Sequence, residues 1–130
     1  MARNQIDWGP LARAAWQARE NAHTFGNTRV GAAVMDISGK IFVGCNVEHR
    51  FRSHDIHAEV NAISTMVANG KTTLVAVLVA AERSCFTPCG ACMDWIFQFG
   101  GADCFVAYQS QAGGQTTVFR ASDLMPHYPQ

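Results

Sequence analysis

The apolar patterns along the chain predict an α/β fold, a three-layer α/β/α sandwich with a five-stranded mixed sheet, and three observations carry that expectation. Residues 73–80, Thr-Leu-Val-Ala-Val-Leu-Val-Ala, form a continuous apolar run of strand length, the mark of a central strand covered on both faces. Two segments with helical patterning, 57–68 and one that begins at Cys89, flank this run, so strands and helices alternate through the middle of the chain. Ahead of them, two short stretches rich in small and branched residues are joined by Asp36-Ile37-Ser38-Gly39, which reads as a hairpin turn and makes part of the sheet antiparallel.

The first element is a helix over 7–23. Trp8, Leu11, Ala12, Ala15, Trp16 and Ala22 recur close to the helical period, Asp7 is placed to cap the first turn, and Pro10 lies within that turn. Phe25-Gly26-Asn27-Thr28 breaks the helix, residues 29–35 form the first strand, and residues 40–47 return antiparallel to it. Residues 48–56 are polar and dense in His and Arg, which suits a loop at the mouth of a site. The second helix spans 57–68 and stops at Asn69-Gly70; the third begins at Cys89, with Pro88 setting its first turn, and stops at Gly100-Gly101. Strands over 103–108 and 115–119 follow, and 122–126 close the chain as a short helical turn. Right-handed crossovers place the second and third helices side by side on one face of the sheet, which brings His57 near Cys89 and Cys92 across 32 positions of sequence.

Composition bounds the function. A chain of 130 residues makes one domain, 1–130, and its 48% hydrophobic and 15% charged content is ordinary for a globular protein while leaving apolar surface for subunit contacts; a homo-oligomer is expected. A formal net charge of zero provides no electrostatic footprint for a phosphate backbone, so a small neutral substrate is expected rather than nucleic acid. No apolar run approaches bilayer length and residues 1–5 lack an apolar signal core, so no membrane partner and a cytoplasmic location are expected. With two of the five cysteines assigned to a metal, Cys45, Cys85 and Cys104 are expected to be reduced and packed.

The chemistry rests on His57-Ala58-Glu59 and Pro88-Cys89-Gly90-Ala91-Cys92. One imidazole and two thiolates make three ligands for Zn2+ and leave the fourth tetrahedral position open, as catalytic sites do. Cys89 and Cys92 share one face of a helix start, where the macrodipole favours thiolate, and Glu59 is the natural proton carrier. A Cys-x-x-Cys alone is equally a redox pair or half of a structural zinc knuckle. Joined to an upstream His-x-Glu, with Pro before the first Cys, it is the signature of zinc-dependent nucleobase deaminases. His54 lacks a Glu at the right offset, and His23, His49 and His127 have no metal spacing. Trp8, Trp16 and Trp95 read as core or subunit-interface residues. Arg50 and Arg52 read as a solvated basic pair, or as a contact for an acidic group on a substrate.

Val30-Gly31-Ala32-Ala33, Gly44-Cys45-Asn46-Val47-Glu48, His57-Ala58-Glu59, Pro88-Cys89-Gly90-Ala91-Cys92 and Leu124-Met125-Pro126 together make the chain resemble the cytidine deaminase family, including its blasticidin S deaminase relatives. The resemblance implies that His57, Cys89 and Cys92 bind zinc and that Glu59 shuttles protons. It also implies that Asn46 and Glu48 hold the ribose 3′-hydroxyl and that backbone groups near Ala58 and Thr87 contact the exocyclic amine. The activity implied is deamination of cytidine and 2′-deoxycytidine to the uridines with release of ammonia, in pyrimidine salvage, by a homotetramer. Taken singly, Asn46 would be a strand-end turn residue and Glu48 a solvated carboxylate. Thr28 stands where the family often has an aromatic residue, with Phe25 a candidate replacement; His49 and Arg52 replace the usual Asn and Tyr, Met93-Asp94 the usual Arg-Gln, and Tyr128 lies one residue closer to Pro126. Two other readings stay open: a deaminase of another aminopyrimidine such as a blasticidin-like antibiotic, and a non-catalytic zinc-stabilised oligomer, against which the intact ligand set and Glu59 argue. Tyr128 or Phe119 of a neighbouring subunit is expected to complete the wall of the site.

Overall fold

The computed structural model describes residues 5–129. The elements are α1 (Trp8–Arg19), β1 (Gly31–Asp36), β2 (Ile41–Cys45), a 3-10 turn at Arg52–His54, α2 (Ala58–Ala68), β3 (Leu74–Ala80), α3 (Gly90–Gly100), β4 (Phe105–Gln109), β5 (Thr117–Arg120) and α4 (Ala121–Leu124). The strands form one mixed sheet in the order β2-β1-β3-β4-β5, in which only β3 and β4 pair in parallel. The five-stranded mixed sheet and the α/β class match the expectation.

Strand alternation separates the two faces. Val77 and Val79 of β3 point with Ala32 and Val34 of β1 into a core shared with Ala62, Ile63 and Met66 of α2 and Met93 and Ile96 of α3. Ala76, Leu78 and Ala80 point the other way, with Ala33 of β1, onto Leu11, Ala12 and Ala15 of α1. This two-sided demand explains why 74–80 carries no polar residue. Because β2 and β3 are each antiparallel to β1, they run parallel to one another, and α2 is the crossover between them; α3 is the crossover between β3 and β4. Both crossover helices pack into one core, which is what puts their N-termini on the same side of the sheet.

Element ends differ from the sequence expectation where tertiary contacts recruit the backbone. Asp7 caps α1 as expected, its Oδ1 accepting from Gly9 N–H at 3.1 Å. The helix stops at Arg19 rather than His23, because His23 bridges to the strand-end segment: its N–H donates to the Asn46 carbonyl (3.1 Å) and its carbonyl accepts from Glu48 N–H (2.7 Å). β1 begins at Gly31 instead of residue 29, since Val30 N–H is taken by the Asn46 side chain. Of the three cysteines expected to be packed, Cys104 is buried and Cys45 partly buried. Cys85 is exposed, in a loop where its φ is +51°, so packing does not extend to it.

Two glycines set the spacing of the layers. A Cβ at Gly31 would stand 1.9 Å from the Ala15 carbonyl oxygen of α1, and one at Gly44 would stand 2.4 Å from Ala62 N and 2.8 Å from the Ala58 carbonyl oxygen of α2. These obstacles are backbone, which cannot swing aside as a side chain would. Gly31→Ala and Gly44→Ala are therefore each expected to destabilise the fold by about 1–3 kcal/mol or more, measured by denaturant unfolding, as overpacking does. A change below about 0.5 kcal/mol would show that the layers are not in close register at these points.

Candidate active site

His57 and Cys89 occupy matching positions. Each is the N-cap residue of its helix, with extended backbone at φ −78°, ψ 153° and φ −69°, ψ 171°, so both helices begin one residue later than the sequence suggests. Pro88 consequently precedes the cap rather than opening the helix, and it is buried. Cap residues project across a helix end instead of along its side. That geometry lets ligands from two adjacent helices meet in front of their N-termini. Cys92, the third residue of α3, adds a second thiol from the first turn.

His57 Nδ1 lies 3.2 Å from Cys92 Sγ and 3.4 Å from Cys89 Sγ, and the three potential ligand atoms all fall within 4.8 Å of one another. Zinc bonded to sulfur at about 2.3 Å and to nitrogen at about 2.0–2.1 Å in a tetrahedron requires ligand separations of about 3.5–3.8 Å, so this donor set fits the ion after small adjustments. It supplies three donors and leaves a fourth direction free. Among the described residues, no other group of His, Cys, Asp or Glu is so arranged.

Glu59, the second residue of α2, is 4% exposed. Burial holds its carboxyl above the ordinary carboxylate range, against the opposing pull of its own backbone N–H, His57 and Cys92. Burial likewise pushes the Cys92 thiol up, with Glu59 and Cys89 adding to the effect, so the helix start does not by itself make Cys92 a thiolate. A divalent cation at the triad would reverse that balance. A buried acid beside a three-donor metal pocket can hold or release a proton where a reacting atom would sit.

His57, Cys89 and Glu59 line a cleft of about 330 Å³, a volume suited to a small organic molecule. The other wall residues include Thr28, Asn46, Glu48, Arg52, Asp55, Ala58, Phe86 and Thr87. All seven residues singled out from the sequence, His57, Cys89, Cys92, Glu59, Asn46, Glu48 and Ala58, thus converge on one region. Cys92 stands behind the cleft wall as a buried member of the triad. His54 sits apart, its ring edge-on to His49 at 4.9 Å.

Asn46 and Glu48 are tightly engaged. Asn46 Oδ1 accepts from Val30 N–H at 2.9 Å and its Nδ2 donates to the Thr28 carbonyl at 2.8 Å, so the side chain stitches the ends of β1 and β2 together. Glu48 Oε1 accepts from Phe25 N–H (2.7 Å) and Gly26 N–H (3.1 Å), while Oε2 pairs with Arg52 Nη2 at 3.2 Å. Those backbone donors, first Gly26 and then Phe25, hold the Glu48 carboxyl below its usual range despite partial desolvation. Phe25 itself is 65% exposed and does not form part of the cleft wall, so it does not replace the aromatic ring missing at Thr28; the phenyl ring that lines the cleft is Phe86. Asp55 was not singled out by sequence; its charge, three residues after Arg52, was the available signal. Two other departures from the family pattern prove to be partners. Tyr128 hydrogen-bonds Asp94 through its hydroxyl and stacks on Phe97 with centroids 4.0 Å apart, so it rests on its own α3.

Residues 10–108 match the family model of the cytidine and deoxycytidylate deaminase zinc-binding region. The chain belongs to this family. It is similar to a cytidine deaminase of Halalkalibacterium halodurans, 30% identical over 93% of this chain and 92% of the relative, and to a probable cytidine deaminase of Dictyostelium discoideum, 34% identical over 75% and 68%. Among solved structures it is similar to a cytidine deaminase of Burkholderia pseudomallei, with a TM-score of 0.82 and 32% identity over 98% of both chains. Another is a cytidine deaminase of Mycobacterium leprae, with a TM-score of 0.82 and 29% identity over 94% and 99%. As a cytidine deaminase-like enzyme the chain is a zinc-dependent hydrolase, and the His57–Cys89–Cys92 cluster is placed to hold its metal.

The structural role of Asn46 is directly testable. Asn46→Ala leaves Val30 N–H buried without its acceptor, and unfolding experiments should show a loss of about 1–3 kcal/mol, as for other orphaned buried donors. Unchanged stability would mean that water or a shifted backbone satisfies Val30.

Proposed function

We propose that this chain catalyses the hydrolytic deamination of cytidine and 2′-deoxycytidine to uridine and 2′-deoxyuridine, releasing ammonia. In this reading residues 1–130 act as a single deaminase domain serving pyrimidine salvage in the cytoplasm. The observation that carries the proposal is the buried Glu59 carboxyl beside the His57, Cys89 and Cys92 donor set, opening on a cleft of nucleoside scale. His57, Cys89 and Cys92 hold zinc, which when bound supplies the Lewis acidity that makes hydroxide available near neutral pH to attack C4 of the pyrimidine. Glu59 takes a proton from the attacking water and passes it to ring N3, then takes the remaining proton from the hydroxyl on C4 and delivers it to the amino group, which leaves as ammonia. Its burial favours these exchanges, since a carboxyl with a raised pKa can both accept and return a proton.

Ala58 lies at the cleft wall at the start of α2, where its backbone can orient the exocyclic amine, with Thr87 facing it from the loop before α3. Asn46 and Glu48 take the sugar. Tight engagement of both with the backbone favours a rigid sugar site, because a preorganised acceptor loses less freedom when a hydroxyl binds. No helix among the described residues is long and apolar enough to cross a membrane, and the balanced charge favours a neutral nucleoside over nucleic acid. A homo-oligomer, with a tetramer favoured, is supported by the exposed Val43, Val47, Phe51 and Ile56 on β2 and the loop after it.

A second reading, deamination of another aminopyrimidine compound such as a blasticidin-like antibiotic, is favoured by one observation: Thr28 and Arg52, both departures from the family pattern, line the cleft. An ammonia-release assay across cytidine, 2′-deoxycytidine, cytosine and blasticidin S separates the two. Turnover of cytidine and deoxycytidine is expected, and activity confined to blasticidin S would favour the second reading. Glu59→Gln is expected to keep the zinc and the fold while lowering kcat at least about 10²-fold, the usual cost of losing a positioned acid–base group. Near-normal turnover by that variant, with zinc content unchanged, would reassign the proton carrier.

A further inference from the structure

A carboxylate offers about four acceptor sites, two on each oxygen. On Glu48 three of these are occupied: Oε1 receives Phe25 N–H and Gly26 N–H, and Oε2 receives the Arg52 guanidinium at 3.2 Å. Arg52 is braced in turn. Its Nε donates to Asp55 Oδ2 at 2.8 Å, and the other oxygen of Asp55 receives His49 N–H at 2.7 Å. The result is a relay anchored to backbone at both ends, from His49 through Asp55, Arg52 and Glu48 to Phe25 and Gly26. Glu48, Arg52 and Asp55 all line the cleft.

We propose that Arg52 is the positioning residue for the sugar: held by Asp55, its guanidinium fixes Glu48 so that one acceptor site on Oε2 remains for a substrate hydroxyl. The inference rests on the reading that Glu48 faces the sugar. Without Arg52, the carboxylate is tethered through Oε1 alone, can pivot about that oxygen, and meets the hydroxyl in several orientations. The fork of the guanidinium is essential, because Nε and Nη2 serve the two carboxylates at a fixed mutual angle. A lysine ammonium on a flexible stem keeps the charge and loses the angle. Arg52 is 60% exposed on its side chain, and ion pairs so exposed contribute little to folding stability, so its replacement acts on binding rather than on the fold.

The test compares cytidine with 2′,3′-dideoxycytidine, which lacks the 2′- and 3′-hydroxyls and keeps the 5′-hydroxyl, in the zinc-loaded wild type and in Arg52→Met, Arg52→Lys, Asp55→Asn and Glu48→Gln. Arg52→Met should raise KM for cytidine roughly tenfold, the worth of one ordinary hydrogen bond, with kcat within about twofold and KM for dideoxycytidine unchanged. Arg52→Lys and Asp55→Asn should fall between wild type and Arg52→Met. In a Glu48→Gln background, Arg52→Met should add no further loss. Equal losses on both nucleosides, or additive losses in the double variant, would overturn the proposal. Should Arg52→Met lose zinc or fail to fold, Arg52→Lys decides by the same comparison. A wild type that discriminates between the nucleosides, with Arg52 variants that discriminate equally well, overturns this proposal alone. A wild type that treats the two alike overturns the sugar-side reading of Glu48 and this proposal with it.

Discussion

The structure depends on one geometric constraint: three metal-ligating atoms from two helix starts, separated by 32 positions in sequence, must converge within 4.8 Å. The sheet order solves this with two crossovers that share a core, so that α2 and α3 present their N-termini together. Close approach tightens the solution. Gly44 lets β2 press against the first turns of α2, and the Asn61 side chain ties that helix to Cys45 N–H at 3.0 Å. Layer spacing, helix seating and ligand position are therefore one problem, and the small residues of β1 and β2 belong to the active site as much as to the core.

The same packing creates the chemistry of Glu59. A carboxyl at the first turn of a helix would ordinarily be solvated and ionised; here the roof of the core raises its pKa. Two other carboxylates of the cleft wall have the contrary character. Backbone donors, helped by a guanidinium, hold the Glu48 carboxyl below its usual range, and Asp55 is held low chiefly by His49 N–H, with Arg52 assisting, against a desolvation smaller than the His49 effect. One cleft thus carries a buried carboxyl with a raised pKa beside the metal ligands and, elsewhere on its wall, carboxylates fixed by hydrogen bonds. Such a division matches a substrate whose one end reacts and whose other end is only held.

Much of this was legible in the sequence because its signals are local or absolute. The unbroken apolar run at β3 admits only a strand buried on both faces, and His-x-Glu with Pro-Cys-x-x-Cys carries its chemistry in residue type. What the sequence concealed lies in contacts between segments. The early end of α1 follows from His23 bonding to the Asn46–Glu48 backbone, a partner 23 or more residues away. The chain of contacts from Asp55 through Arg52 to Glu48 depends on a loop whose fold places Arg52 between two carboxylates, though each residue read alone is a solvated charge. Tyr128 and Asp94 were each visible as departures, but their hydrogen bond required α3 and the chain terminus to be in place. The cap positions of His57 and Cys89 were missed by one residue, since a ligand just outside a helix and one just inside it have the same spacing in sequence.

Zinc K-edge X-ray absorption on the purified enzyme examines the central constraint most directly. Convergence of the two helix starts predicts a four-coordinate ion with two sulfurs at about 2.3 Å and two nitrogen or oxygen ligands at about 2.0–2.1 Å. It further predicts that one sulfur is lost in Cys92→Ser and that one imidazole contribution is lost in His57→Ala. A shell of four sulfurs, or one without sulfur, would contradict the account, because no folding of this sheet could then place the metal between α2 and α3 as described.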